Sequence, residues 1–212
     1  MYNVVIVGAG GFGREIYQYT KCIYSEDKYK IKGFLSTNPS DLDNFDIDAN
    51  ILGNEYTYEI QENDRFIFAI GSIEKRQEIV PILKEKGAKF LTLIHPTAVI
   101  FNTAKIGEGV VIGPFATVSD NVVIGDFVMM NFYSSVGHDS KIGKYSILSP
   151  YATVNGFSTL EEAVFMGTHS TITAHKNIGK ESKISANSVA MYNTKPYSFV
   201  YGVPGKVKKI FG

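Results

Sequence analysis

The 212-residue chain lacks several features that would fix its class at once. It has no formal net charge at pH 7, which argues against nucleic acid or an anionic membrane as the main partner. Its single cysteine, Cys22, has no internal disulfide partner and lies in a helix-like stretch, so it reads as structural. No apolar run is long enough to span a bilayer, and no signal peptide precedes the first apolar segment. With an ordinary apolar share of 44%, these absences predict a cytoplasmic protein of one or two small domains.

What the chain has in abundance is a period. From His95 to Pro196 it divides into six-residue units without insertion or deletion, such as GEGVVI, GPFATV and GHDSKI. The sixth position is aliphatic from Ile100 to Ile184, and only Ala190 and Pro196 depart. The fourth is small or Val, with Lys176 the one exception. A period of six fits neither an amphipathic helix nor a lone strand. It fits a β-solenoid in which each unit gives one short strand and one turn, and stacked coils share a core. Three units close a triangular coil, so residues 18 apart should stack. The small fourth position is expected at a narrow corner. Parallel crossovers are nearly always right-handed, and the period alone leaves the hand of this one open.

Ahead of the repeats the pattern changes. YNVVIV reads as a buried strand, GAGGFG at Gly8 to Gly13 as a turn, and REIYQYTKCIY as a helix. This is the opening of a dinucleotide-type βαβ unit, in which glycines let a phosphate approach the backbone at a helix N-terminus. A second strand, YKIKGFL, ends at Leu35-Ser36-Thr37 without an acid, Asp41 following only later. A nicotinamide dinucleotide site would place an acid there, so a smaller nucleotide held through its phosphates is the better reading. Residues 38–54 read as a loop, RFIFAIGS as a further strand beside the glycine turn, IEKRQEIVPILKEKG as a helix, and KFLTLI as the strand before the repeats. The expected division is residues 1–94 and 95–212. After the repeats, the stretch with Lys206, Lys208 and Lys209 reads either as a solvated tail or as a phosphate contact.

All four histidines, His95, His138, His169 and His175, lie at or within the repeats. His95 reads as structural. His138 falls in GHDSKI at the second position, expected on the outer wall, with Asp139 next to it. On a strand, adjacent side chains face opposite ways, so Asp139 need not touch the imidazole. By residues alone His138 is an ordinary surface histidine.

GAGGFGREI, FAIGS with Arg76 soon after, HPTAVI, GHDSKIG and YGVPGK occur in one order over nearly the whole chain. With them the chain resembles the bacterial hexapeptide-repeat sugar acyltransferases, those related to sialic acid O-acetyltransferase and to N-acetyltransferases of nucleotide-linked amino sugars. The resemblance implies an α/β Rossmann-like N-terminal domain followed by a left-handed parallel β-helix, a homotrimer, and a role in bacterial surface glycan or lipopolysaccharide biosynthesis. It implies acetyl-CoA as co-substrate and no metal. The aligned general base is His138, with Asp139 beside it. Gly156 corresponds to the backbone N–H that binds the acetyl carbonyl, and Gly167, Thr168, Ala186 and Lys206 to the coenzyme track. Gly10, Gly11, Phe12, Gly13, Ser36, Gly71 and Ser72 correspond to the pocket for a uridine or thymidine diphosphate sugar. Two residues depart from the pattern: Gly137 stands where many members have an acid before the base, and Ile147 where many have a second histidine.

The implied chemistry is acetyl transfer to a sugar amine, with transfer to a hydroxyl as the alternative. Imidazole titrates near neutral pH and suits removal of the amine proton. Solenoids of this kind also carry metal-dependent carbonic anhydrases, but zinc needs about three converging ligands at roughly 2 Å. His169 and His175 are six residues apart, on different faces of one coil, and His138 lies on another. A non-enzymatic scaffold would need neither the nucleotide-type fold nor the His138-Asp139 pair.

Overall fold

The computed structural model describes residues 1–24 and 27–209. The chain forms two compact units, Met1–Leu93 and Ile94–Gly212; residues 210–212, the end of the expected tail, lie outside the described residues.

The first unit runs β1 (Tyr2–Val7), α1 (Gly11–Ile23), β2 (Tyr29–Leu35), β3 (Ile51–Gly53), β4 (Asp64–Phe68) and α2 (Ile73–Glu85). Its sheet has the order β3-β2-β1-β4 and is parallel throughout. Val4 to Val7 at its centre are fully buried, which is why β1 is a continuous apolar run and not an alternating one. Helix α1 buries Gly13, Ile16, Tyr17 and Thr20, the spacing of one helical face. Ser72 caps α2 by accepting from Lys75 N at 3.1 Å. At the start of β4 the Asp64 carboxylate is fully buried and pairs with Lys32 Nζ at 2.9 Å. Burial pushes its pKa up, but hydrogen bonds from Gln61 N–H, Lys32 and Tyr58, with the Lys32 charge, outweigh that and hold it below the ordinary value.

Three expectations change here. The loop expected over 38–54 contains the edge strand β3, too short to announce itself. The strand expected over 89–94 shrinks to an isolated bridge of Phe90 to Phe66 and a two-residue strand at Leu93–Ile94. Cys22 is exposed, so it contributes nothing to the core.

The second unit is a left-handed parallel β-helix. Each unit up to Ala190 contributes a two-residue strand from its fifth and sixth positions, and strands pair in parallel with those 18 residues on: Val123 with Lys141, Met129 with Ile147, Ser135 with Thr153. The sixth-position aliphatics form one column of core, including Ile112, Met130, Leu148, Met166 and Ile184, all fully buried.

The small fourth position turns out to be more than a steric allowance. Ser140, Ser146, Ser158 and Ser182 are fully buried. Ser158 Oγ accepts from Lys176 N at 3.3 Å and donates to Thr173 O at 3.2 Å, each on the next coil. Ser140 and Ser146 repeat the arrangement. A spine of hydroxyls therefore ties coil to coil and satisfies backbone groups that an alanine would leave unpaired.

The corner itself is made at the third position. From Gly109 to Asn187 the third residue of every six-residue unit has a left-handed backbone, including Phe115, Tyr133, Asp139, Tyr151, Phe157 and His175, with φ between 54° and 64° over the series. Such a φ costs about 1–2 kcal/mol for a residue with a Cβ. From Phe127 on, each such residue turns its N–H to a carbonyl of the coil before, as Asp139 does to Asp120 O at 3.0 Å and Phe157 to His138 O at 2.9 Å, while Phe115 and Asn121 donate to the hydroxyls of Thr97 and Thr103. Rings at these corners also stack: Phe115 on Tyr133, Tyr133 on Tyr151 and Tyr151 on His169, at 4.9, 5.0 and 4.5 Å. Ring stacking contributes about 0.5–1.5 kcal/mol per pair and helps offset the backbone cost.

Over the described residues the end of the chain is a paired hairpin whose last strand, Lys206–Lys209, is exposed along its length. Ser198–Tyr201 adds in parallel to the strand at Lys183–Ile184, then turns back antiparallel as Lys206–Lys209.

Candidate active site

In the first unit the candidate nucleotide residues converge on the C-terminal edge of the sheet. β1 pairs β2 and β4 in register at Val7, opposite Leu35 on one side and Phe68 on the other. The segments that follow, Gly8 to Gly13, Ser36 and Gly71-Ser72, therefore share one edge. The glycines do different things there. A Cβ on Gly13 would stand 2.0 Å from Gly8 O, and one on Gly8 2.6 Å from Ile70 Cγ1, so these two permit close packing of turn on strand. Gly10 and Gly71 face open space and leave backbone accessible. Gly10 is the N-cap of α1 and supplies no side-chain cap, so the first-turn N–H groups of Gly11, Phe12 and Gly13 receive no cap from it. Ser72 is already engaged as the α2 cap, its hydroxyl also donating to Glu74 Oε2 at 2.8 Å.

The strand that seemed to end without an acid has one. Asp41 folds back so that Ser36 Oγ donates to its Oδ2 at 2.5 Å and Asn38 Nδ2 to its Oδ1 at 2.6 Å. The sequence distance hid this, because a five-residue return reaches the strand end.

In the second unit, His138 and Asp139 are the second and third residues of a corner between the strands Ser135–Val136 and Lys141–Ile142. Neither residue lies on a flat wall. The alternation expected of a strand does not apply, and the left-handed φ of 58° at Asp139 turns its carboxylate back to the ring. His138 Nδ1 donates to Asp139 Oδ2 at 2.9 Å. A carboxylate only accepts, so Nδ1 carries a proton, and in the neutral ring the lone pair is on Nε2. The Asp139 carboxyl is held below its ordinary pKa, first by the hydrogen bond from Asn121 and then by that from His138.

The ring is held on two further sides. It stands edge-on to Phe157, with centroids 5.1 Å apart at 88°. It also lies where a Cβ on Gly156 would be, 2.8 Å from His138 Nε2 and Cε1. Gly156 is thus glycine to admit the imidazole. Gly137 has the matching role one coil earlier: its Cβ would stand 2.6 Å from Gly156 N, so its absence keeps that N–H uncovered. The imidazole itself is 55% exposed, open to a substrate.

The coenzyme candidates are not all at this corner. Gly167, Thr168 and Ala186 lie at the next corner round, the one carrying the Tyr151–His169 stack. A Cβ on Gly167 would stand 2.6 Å from Ala186 N, the same relation that Gly137 has to Gly156. Thr168 and Ala186 are exposed there. Lys206 is an exposed residue of the terminal hairpin. Ile147 is buried in a core strand. His169 and His175 stack on Tyr151 and on Phe157. Among the described residues no group of three His, Cys, Asp or Glu is placed to hold a metal ion, and no helix is long and apolar enough to cross a membrane. Asn121 escaped sequence reasoning, although a step of 18 residues back from Asp139 leads straight to it.

Residues 3–83 match the PglD N-terminal domain family. The chain is similar to GDP-perosamine N-acetyltransferase of Escherichia coli O157:H7, 38% identical over 74 residues, which is 35% of this chain and 34% of that protein. The matched stretch thus spans about a third of that curated relative. Among solved structures, PerB of Caulobacter crescentus in complex with CoA and GDP-perosamine has a TM-score of 0.88 at 23% identity, covering 98% of each chain. The acetyltransferase domain of PglB from Neisseria gonorrhoeae FA1090, in complex with acetyl coenzyme A, has a TM-score of 0.87 at 24% identity, covering 96% of this chain and 98% of that one. The two-part architecture described above is therefore a known fold, shared along nearly the whole length.

Proposed function

We propose that this chain, with an N-terminal region matching the PglD N-terminal domain and a fold shared with acetyltransferases, is a bacterial sugar acyltransferase. In this reading it transfers the acetyl group of acetyl-CoA to the amino group of a nucleotide-linked amino-deoxy sugar. The observation that carries the proposal is the His138 imidazole, fixed by Asp139 through Nδ1 and against Gly156, with a free Nε2 at an exposed corner.

The chemistry follows from that geometry. His138 Nε2 takes the proton from the amine as its nitrogen attacks the thioester carbonyl. Asp139 holds the proton-bearing Nδ1 and balances the charge that forms on the ring. The Gly156 N–H, kept open by the lack of a side chain at Gly137, donates to the developing oxyanion. Collapse breaks the carbon–sulfur bond and expels the CoA thiolate, giving the amide. Gly167, Thr168, Ala186 and Lys206 are assigned to the coenzyme. Gly10, Gly11, Phe12, Gly13, Ser36 and Gly71 are assigned to the nucleotide sugar, with Ser72 contributing backbone because its hydroxyl caps α2.

A nicotinamide coenzyme is set aside for the short first unit, although Asp41 supplies the acid at the end of β2. The carrier expected from sequence is uridine or thymidine diphosphate. The relatives named for GDP-perosamine add guanosine diphosphate to that set. A homotrimer is part of the proposal, since triangular coils packed about a threefold axis leave three equivalent grooves. So are a cytoplasmic setting and a place in surface glycan or lipopolysaccharide biosynthesis. The test is a panel of UDP-, dTDP- and GDP-linked amino sugars, with sialic acid as a hydroxyl acceptor, each incubated with acetyl-CoA and followed by free thiol release. Turnover with an amino sugar supports the proposal, turnover with the hydroxyl acceptor alone replaces it by O-acetylation, and no thiol release with any acceptor counts against it.

A further inference from the structure

The corner that holds His138 continues down the β-helix as a column of third-position residues, one per coil: Thr103, Asn121 and Asp139. They are linked. Asn121 Nδ2 donates to Asp139 Oδ1 at 2.8 Å, while the other carboxylate oxygen, Oδ2, accepts from His138 Nδ1 at 2.9 Å. The Asn121 backbone N–H donates to Thr103 Oγ1 at 2.8 Å, and Thr103 Oγ1 donates to Asp120 Oδ1 at 2.5 Å. The Asp139 N–H in turn donates to Asp120 O at 3.0 Å.

We infer that Asn121 is a positioning residue for the acetyl transfer proposed above, and that it sets the tautomer of His138 through Asp139. The inference rests on that reading only for its catalytic consequence.

Asp139 is one-third exposed, so water competes for its carboxylate and its χ angles are not fixed by packing. One hydrogen bond to the ring leaves the carboxylate free to swing about it. A second donor on the opposite oxygen removes that freedom and keeps Oδ2 facing Nδ1. Asn121 is suited to the task. Its left-handed φ of 54° is one that asparagine tolerates better than most residues, and its backbone is anchored to Thr103. Its amide is a neutral donor, so it stabilises the carboxylate without competing for the ring as a lysine would. An aspartate at 121 would set two carboxylates face to face with no proton between them. Asn121 touches the ring only through Asp139, so it should govern turnover and not substrate affinity. If the ring were free to place its proton on Nε2, the lone pair that receives the substrate proton would be lost, and with it the base.

The test uses Asn121→Gly and Asn121→Asp in the full-length protein. Glycine accepts the left-handed backbone without strain and removes only the amide. Aspartate keeps the shape and removes the donor. Ring-nitrogen NMR of the 15N-labelled protein reads the His138 tautomer directly, with its signal assigned by its loss in His138→Ala. The expected result is a proton on Nδ1 in the wild type and a mixture shifted toward Nε2–H in both variants. In the acetyl-transfer assay kcat should fall roughly tenfold, the worth of one charge-assisted hydrogen bond, while KM for both substrates stays within about twofold. An unchanged tautomer in both variants overturns the inference, as does a shifted tautomer with unchanged kcat in an active enzyme. A shifted tautomer in a protein with no transferase activity on any acceptor leaves the inference standing and removes the acetyltransferase reading instead.

Discussion

Replacing Gly156 by alanine puts one methyl group into the space of the His138 ring. The new Cβ would stand 2.8 Å from His138 Nε2 and Cε1 and 3.2 Å from Cδ2. Non-bonded carbons settle at about 3.5–4.0 Å, so the ring must retreat by roughly 1 Å. The backbone does not object, because Gly156 is not among the left-handed glycines. At such a site glycine to alanine stabilises by about 0.4–1 kcal/mol through the unfolded chain, which offsets the cost of displacing an exposed side chain. The ring cannot retreat without loosening its bond to Asp139 or its edge contact with Phe157. A misplacement of about 1 Å costs roughly 10²-fold in rate, close to 2.7 kcal/mol of barrier. Gly156→Ala should therefore lose about two orders of magnitude in kcat by thiol release, with a thermal midpoint within a few degrees of wild type. Turnover within about threefold of wild type would refute the reasoning, because a ring that tolerates that methyl group is not held where it must act.

Further outcomes follow from other parts of the molecule. Gly13→Ala drives a Cβ to 2.0 Å from the Gly8 carbonyl, so it should cost about 1–3 kcal/mol of stability in denaturant melts and abolish nucleoside diphosphate binding by calorimetry. Gly10→Ala, into open space, should change stability by less than about 1 kcal/mol. Ser158→Ala removes a hydroxyl that both accepts and donates between coils and should cost about 1–3 kcal/mol in chemical unfolding. Asp64 has its pKa lowered in the folded state. Its contribution is therefore full above the unfolded value of about 3.9 and is lost as pH falls through the lowered folded value. Asp64→Asn should flatten the acid limb of the stability–pH curve and cost about 1–3 kcal/mol at neutral pH, read from melts across pH.

The coils were legible because a core that repeats every 18 residues writes itself into the sequence as a strict hexad. The glycine turn was legible because Gly8 and Gly13 occupy places where no Cβ fits. The corners were not. Phe115, Tyr133 and His175 carry no signature of a left-handed backbone; it is imposed on them by closure of the coil and the hydrogen bond to the coil before. The serine spine read as mere smallness, since sequence cannot tell a hydroxyl that bridges coils from a side chain that simply fits. Strand alternation does not predict the contact of His138 with Asp139, because the two residues form a turn. Asp41 and Asn121 lay outside the motifs because one reaches its place by a local return and the other by stacking a full coil away.

The measurement that bears most directly on the account is the turnover of His138→Ala with the amino sugar that the panel identifies, alongside CoA binding. Turnover should fall roughly 10²–10⁴-fold, the range of a general acid–base group, with CoA affinity retained and stability within about 0.5 kcal/mol. Raising the pH should restore part of the rate, because more of the amine is then already deprotonated. Near-wild-type turnover at neutral pH would contradict the account, since the proton would then leave by a route that bypasses the imidazole on which the corner is built.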